Sequence, residues 1–219
     1  MVSSASQVSL KISEIFFSLQ GETARAGLPT VFVRLTGCPL RCVWCDTAYA
    51  FSGGERMALP KILAEVARHA ARWVCVTGGE PLAQKACLPL LSALCDAGYS
   101  VSLETSGSLD IGGVDPRVSR IVDLKAPGSG EFDQNRWENL ALLTPQDELK
   151  FVLKDRADYE WARTTISKYH LDAVCPLLIS PVQGDLEPTT LAEWILADHL
   201  PVRFQLQLHK LLWGNMQGK

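Results

Sequence analysis

Three of the chain's seven cysteines, Cys38, Cys42 and Cys45, fall within one short run, Cys-Pro-Leu-Arg-Cys-Val-Trp-Cys. This Cys-x3-Cys-x2-Cys spacing suits metal-thiolate chemistry better than packing, because thiols with Pro and Arg between them cannot share one apolar face. A structural zinc site wants four ligands, usually as two pairs, and no second Cys-x2-Cys or His-x3-His pair is present. A cubane 4Fe-4S cluster is soft and thiolate-loving, and three thiolates leave its fourth iron open to an outside ligand. An open iron implies chemistry rather than stapling. The other cysteines, Cys75, Cys87, Cys95 and Cys175, sit inside apolar runs and read as packing residues.

Such a cluster needs a scaffold, and the chain alternates short strand-like and helix-like segments. Residues 30–35 (TVFVRL) form a β-branched run that ends at Thr36-Gly37 and delivers the chain into the cysteines. Leu59, Ile62, Leu63, Val66, Ala67 and Ala70 then repeat at helical spacing, with Pro60 near the start. Strands are predicted at 73–77, 100–104, 121–124, 148–153, 175–180 and 203–208, and helices at 84–97, near 132–142, and at 157–169 and 189–199. This order predicts an α/β fold: a partial, open TIM-like barrel of about six parallel strands with helices on the outer face, in one domain spanning 1–219. Polar or Gly-rich signals follow five strands, at Gly37-Cys38, Thr77-Gly78-Gly79-Glu80, Glu104-Thr105-Ser106-Gly107, Asp123-Leu124-Lys125 and Ser180-Pro181. Parallel α/β folds build their sites at the carboxyl ends of strands, so these segments are expected around one cavity.

Composition narrows the partners. The 219 residues are 47% apolar and 21% charged, enough for a sizeable core and unlike a disordered or disulfide-stapled chain. The net charge of -3 and the lack of a basic run disfavour tight nucleic-acid binding. An odd cysteine count points to a reducing compartment, and no stretch is apolar enough for a membrane span or a leader. A soluble, cytoplasmic protein with no membrane partner is the expectation.

The cysteine run, with Trp44 just before its last cysteine, resembles the radical S-adenosylmethionine (SAM) superfamily. Thr77-Gly78-Gly79-Glu80-Pro81 is similar to that superfamily's GGEP motif, one βα unit further on. Such resemblance implies a 4Fe-4S cluster on Cys38, Cys42 and Cys45 whose open iron chelates SAM; one electron cleaves the sulfonium and gives a deoxyadenosyl radical. A narrower resemblance, covering most of the chain, is to the 7-carboxy-7-deazaguanine synthase family of the queuosine pathway. It rests on Glu14-Ile15-Phe16-Phe17-Ser18-Leu19-Gln20-Gly21-Glu22, Phe32-Val33-Arg34-Leu35-Thr36-Gly37-Cys38, Cys45-Asp46-Thr47, Glu104-Thr105-Ser106-Gly107, Ile179-Ser180-Pro181-Val182 and Gln207-Leu208-His209-Lys210. Thr23 stands where the family usually has Gly, and Asp123-Leu124-Lys125 replaces a Ser-Pro-Lys form.

This resemblance implies a lyase-type synthase that contracts 6-carboxy-5,6,7,8-tetrahydropterin to the 7-deazapurine with loss of ammonia, using the cluster, SAM and Mg2+. Leu19, Gln20, Gly21, Glu22, Thr77 and His209 would contact the pterin, and Arg34 would take its carboxylate through a bidentate fork. SAM would be lined by Trp44, Cys45, Asp46, Gly79, Asp123, Leu124, Lys125, Ile179, Ser180, Pro181 and Val182. Thr47 would ligate Mg2+ through its hydroxyl, with water and substrate oxygens completing the shell. Glu104 could meet the pterin or the SAM ribose, or serve only as a turn carboxylate. His209 is expected on an alternating C-terminal strand. A flavodoxin- or ferredoxin-like reductant and a homodimer are also implied. Two other readings compete: a glycyl-radical-enzyme activase with the same cysteine motif, and a non-catalytic iron-sulfur or zinc module.

Overall fold

The computed structural model describes residues 8–214 and 216–219. Among these residues nine strands form one sheet: β1 (Ser9–Leu19), β2 (Pro29–Leu35), β3 (Glu55–Ala58), β4 (Trp73–Gly78), β5 (Ser100–Thr105), β6 (Ser119–Asp123), β7 (Glu148–Leu153), β8 (Leu177–Pro181) and β9 (Arg203–Phe204). Their spatial order is β3-β1-β2-β4-β5-β6-β7-β8-β9. From β2 to β9 every neighbouring pair is parallel, whereas β1 runs antiparallel to both β2 and β3. Helices α1 (Leu59–Ala67), α2 (Cys87–Asp96), α3 (Arg156–Tyr169) and α4 (Pro188–Ala197) connect the parallel strands, and α5 (Leu208–Trp213) follows β9. The expected mostly parallel α/β sheet is present, with an antiparallel pair added at one edge.

Strand parity sorts the side chains into two layers, because successive residues of a strand point to opposite faces. Val31, Val33, Leu35, Val74, Val76, Val101, Leu103, Leu149, Phe151, Leu177 and Ile179 pack with Ile62, Val66, Leu90, Leu94, Ile166 and Leu191 of the helices in one core. The alternate residues Phe32, Arg34, Thr77, Glu104, Ile121, Asp123, Lys150 and Val152 turn the other way and line a cavity. The sheet curls enough for its two flanks to meet. Glu22, just past β1, pairs with Lys150 of β7, although β2, β4, β5 and β6 stand between those strands. The Thr23 N–H donates to Gln205 Oε1 at 2.8 Å and its carbonyl accepts from Gln205 Nε2 at 2.7 Å. The Ala24 N–H reaches both oxygens of Glu148. The connection from β1 to β2 thus closes the open side of the barrel.

Several elements differ from expectation, each for a local reason. β1 and β3 were not among the predicted strands: β1 is half-buried on both faces, and β3 follows directly on the expected Gly-rich loop. The helix expected near 132–142 is instead two 3₁₀ segments, Phe132–Gln134 and Trp137–Leu142. Asn135 bonds the backbone N–H and carbonyl of Lys125, and Asn139 donates to the carbonyls of Gly107 and Leu109, so side chains compete with the helical ladder. The strand expected at 203–208 ends at Phe204, because the Gln205 side chain is engaged by Thr23; His209 consequently lies on α5, not on a strand.

One buried ion pair locks β6 to β7. Asp147 is fully buried and accepts from the Arg120 backbone N–H (2.8 Å), Arg120 Nε (3.0 Å) and Nη2 (2.6 Å), and from the Thr144 N–H and hydroxyl. Burial alone would raise its pKa, but Arg120 and the Thr144 donors together hold it below the ordinary carboxylate value. A depressed carboxylate contributes stability that is full above the unfolded-state value of about 4 and fades as pH falls through the folded one. Asp147→Asn should therefore cost about 3–5 kcal/mol at neutral pH, since it strands the Arg120 charge. Urea midpoints measured from pH 7 to pH 3 should fall less steeply for the variant than for the wild type.

Candidate active site

The parallel strands end around a cavity of about 600 Å³. Its rim is the loop from Gly37 to Thr47, which carries the three thiols. All three are half-buried and all three face the cavity. The loop is pinned rather than free: the Gly37 N–H donates to Ala50 O at 2.8 Å and the Val43 N–H to Ser129 O at 3.0 Å. Arg41 donates to the carbonyls of Cys38 and Leu40 while its guanidinium lies 4.3 Å from the Phe51 ring centroid. Burial pushes the Cys38 and Cys42 thiols up, so assembling a thiolate-bound metal there must release protons.

The Gly-Gly turn after β4 packs directly on this loop. A Cβ on Gly79 would lie 2.4 Å from Gly37 O and 2.7 Å from the Cys38 Cβ, so no other residue fits without moving the cysteine loop. The Gly79 and Glu80 N–H groups are spent on the carbonyls of Leu35 and Gly37. Glu80 itself faces away from the cavity. Its side chain is fully buried and accepts from the Leu82 N–H (3.0 Å), the Thr105 hydroxyl (2.9 Å to each oxygen), the Ser106 N–H (2.7 Å) and the Ser106 hydroxyl (2.6 Å). It ties the end of β4 to the end of β5.

Four cations of the cavity are paired with carboxylates. Arg34 Nε donates to Glu14 Oε1 at 2.7 Å, and Tyr49 Oη donates to the same oxygen at 2.8 Å. Burial opposes the Arg34 charge, yet its surroundings, with the Glu14 carboxylate bonded to it, more than restore it. Lys125 Nζ lies 2.9 Å from Asp123, Lys210 Nζ lies 3.1 Å from Asp46, and Lys150 bonds Glu22. Asp46 titrates below its usual value because Lys210 outweighs the effect of burial. Glu104 accepts from Gln20 Nε2 (3.1 Å) and Thr77 Oγ1 (2.9 Å). Burial lowers the His209 pKa, and a Cβ on Gly21 would overlap the His209 ring, so the two segments are in close contact.

Most of the residues singled out from sequence meet at this cavity: Leu19, Gln20, Gly21, Glu22, Arg34, Trp44, Asp46, Thr47, Thr77, Gly79, Asp123, Lys125, Val182 and His209 line it with the three cysteines. Thr47 Oγ1 lies 3.8 Å from Cys45 Sγ. Four others do not reach its wall. Leu124 and Ile179 have the opposite parity and pack in the core, Pro181 is buried at the end of β8, and Ser180 Oγ is buried without a partner among the described residues. Lys150, Gln207 and Lys210 line the cavity unanticipated, and Glu80 is a latch rather than a ligand contact. A lysine alternating with apolar residues inside a buried strand, as in ELKFVL, was the one available signal for Lys150.

Substitutions at the cysteines and at Glu80 test this geometry. Cys38→Ala, Cys42→Ala or Cys45→Ala should each abolish iron-sulfur absorbance after anaerobic reconstitution, whereas Cys87→Ala, at the buried start of α2, should retain it. Glu80→Gln replaces an acceptor-only group by one that presents N–H to N–H. A cost of about 2–4 kcal/mol is expected in urea unfolding, with weaker SAM binding as the Gly79 turn loosens.

Comparison with known proteins places this arrangement. The Radical SAM superfamily model matches residues 32–170. The chain is 49% identical to the 7-carboxy-7-deazaguanine synthase of Chlorobaculum tepidum, over 96% of this chain and 97% of that one. It is 45% identical to the protein of the same name from Koribacter versatilis, over 93% and 97%. The crystal structure of QueE from Escherichia coli superposes with a TM-score of 0.77 at 25% identity, covering 95% of this chain and all of that one. The chain therefore belongs to the 7-carboxy-7-deazaguanine synthase family, within the radical SAM superfamily.

Proposed function

We propose that this chain, acting as a single radical SAM domain, converts 6-carboxy-5,6,7,8-tetrahydropterin into 7-carboxy-7-deazaguanine with release of ammonia, a step of queuosine biosynthesis. The observation that carries this reading is the meeting, in one cavity, of a three-thiol loop with a cationic and hydrogen-bonding floor built from Gln20, Arg34, Thr77 and Glu104. The donor set fits the group: three thiolates suit soft iron, and the Gly79 cradle leaves no room for a side chain beside Cys38. When bound, the cluster and SAM supply the one-electron chemistry that starts hydrogen abstraction.

The protein's own contribution is placement. With its N–H groups occupied, the turn at Gly79 is left to offer acceptors, which match the ammonium of SAM. Lys125, fixed by Asp123 and by Asn135 on its backbone, supplies a charge beside the cysteines. Burial opposes the charge of Lys125, but Asp123 beside it more than compensates. Arg34 has spent Nε on Glu14 and offers its two Nη groups to the substrate carboxylate as a fork. Such fixing brings the reacting atoms into near-attack geometry. Stacked Phe16 and Phe32, with centroids 4.9 Å apart, provide an apolar wall that excludes water.

Thr47 is the residue we assign to Mg2+, next to an Asp46 whose carboxylate Lys210 holds. One hydroxyl is a weak site, so substrate oxygens and water must complete it. A flavodoxin- or ferredoxin-like protein as electron donor, a homodimeric assembly and a cytoplasmic location complete the proposal. No helix among the described residues is long and apolar enough to cross a membrane.

Anaerobic incubation with SAM, reductant and the carboxytetrahydropterin should give the 7-deazapurine carboxylate by mass spectrometry. SAM cleavage without consumption of the pterin would overturn the substrate assignment. Thr47→Ala should slow product formation at least tenfold and flatten its Mg2+ dependence, with an unchanged cluster spectrum. An Mg2+ response equal to the wild type would remove Thr47 from the metal site.

A further inference from the structure

Lys150 is unusual in its surroundings. It sits in the middle of a strand whose neighbours Leu149 and Phe151 are core residues, and its own side chain is only 13% exposed. Glu22, 12% exposed, is its ion-pair partner, and the second Glu22 oxygen accepts from Gln207 Nε2 at 2.7 Å. Among the described residues the ammonium makes no other hydrogen bond, so it retains donors on the side that faces the cavity. Burial opposes its charge, but Glu22 and Asp123 more than offset this, so it remains a fixed cation and not a base.

The sheet brings this cation to the same cavity as two other groups. The strand order β2-β4-β5-β6-β7 places Glu104 between Arg34 and Lys150, and its carboxylate supports the charge of both. Each Glu104 oxygen already accepts one hydrogen bond, from Gln20 or from Thr77, and keeps a second lone pair. Taken in strand order the cavity floor therefore reads donor, acceptor, donor, with Lys150 set two residues further along its strand than the row of Glu104. In a 6-carboxytetrahydropterin one edge carries, in order, the C6 carboxylate, the N5–H and the C4 oxo group, which read acceptor, donor, acceptor.

We propose that Lys150, held by Glu22, is the specificity-determining residue that binds the oxo group of the substrate, with Glu104 accepting from the adjacent ring N–H and Arg34 taking the carboxylate. The inference rests on the substrate reading above and adds to it the basis of discrimination: a pterin with an amino group at the oxo position would set donor against donor. Charge-assisted hydrogen bonds in a partly dry site, and donors left unpaired there, separate ligands by about 10- to 100-fold.

The test uses reconstituted enzyme with SAM bound. Affinities for 6-carboxytetrahydropterin and for its 4-amino counterpart are measured by calorimetry under anaerobic conditions, for the wild type, Lys150→Met and the double variant Lys150→Met with Glu22→Gln. The double variant avoids leaving a buried carboxylate alone and keeps an acceptor for Gln207. The wild type should prefer the 4-oxo ligand at least tenfold. Both variants should lose about 10- to 100-fold in affinity for that ligand and little for the 4-amino one, so that the preference collapses while cluster content persists. A folded variant with the wild-type preference would overturn the role of Lys150. A wild type that binds neither pterin, yet cleaves SAM, would overturn the substrate reading and this inference with it.

Discussion

A carboxylate with no access to solvent holds the two halves of the site together. Glu80 takes hydrogen bonds from two backbone N–H groups and two hydroxyls, and so fixes where β5 ends relative to the turn after β4. That turn is in van der Waals conflict with anything larger than glycine at position 79, and its N–H groups bind the carbonyls of Leu35 and Gly37. The cysteine loop begins at Gly37. The position of the thiols, of the Gly79 carbonyl and of Glu104 at the end of β5 all follow from the satisfaction of one buried charge. Such a network is stable only when every member is paired, which makes it a strict constraint on geometry as well as a source of stability.

This explains what could be read in the sequence and what could not. The cysteine run, the Gly-Gly turn and the alternation of strands and helices are local patterns, and each lies at or close to its expected place except around 132–142 and 203–208. Parity is a subtler matter. Two stretches, Asp123-Leu124-Lys125 and Ile179-Ser180-Pro181-Val182, were assigned whole to SAM, but a strand cannot turn consecutive side chains to one face. Leu124 and Ile179 go to the core, while Asp123, Lys125 and Val182 reach the cavity. Glu80 lies within a motif associated with the cofactor, yet its donors come from residues 105 and 106 on another strand, which no local pattern discloses.

Long-range closure was the other illegible part. The connection after β1 crosses the open side of the sheet, and Thr23 adopts a left-handed conformation, with φ 71°, where glycine would be unstrained. Its backbone is held in that state by both polar ends of the Gln205 side chain. The same Gln205 ends β9, so the strand expected to continue through His209 gives way to α5. Leu208 N–H then bonds Gly21 O, and Gln207 reaches Glu22, which together bring His209 and Lys210 over the cavity. A substitution at a site of unusual backbone geometry and the early end of a strand are thus one structural event.

Four cations of the cavity follow a single rule. Arg34, Lys125, Lys150 and Lys210 each have a carboxylate partner, respectively Glu14, Asp123, Glu22 and Asp46. Burying any of them alone would cost several kcal/mol, so pairing is the condition for placing fixed charges in a partly dry cavity. Pairing also limits what each can still do. A guanidinium that has committed Nε keeps only its Nη fork, and an ammonium tied to one carboxylate keeps donors on one side only. The internal pairs therefore set the directions from which a ligand can be bound, before any ligand arrives. That is the arrangement electrostatic preorganisation requires: donors already oriented, with no reorganisation left to perform when charge shifts in the reaction.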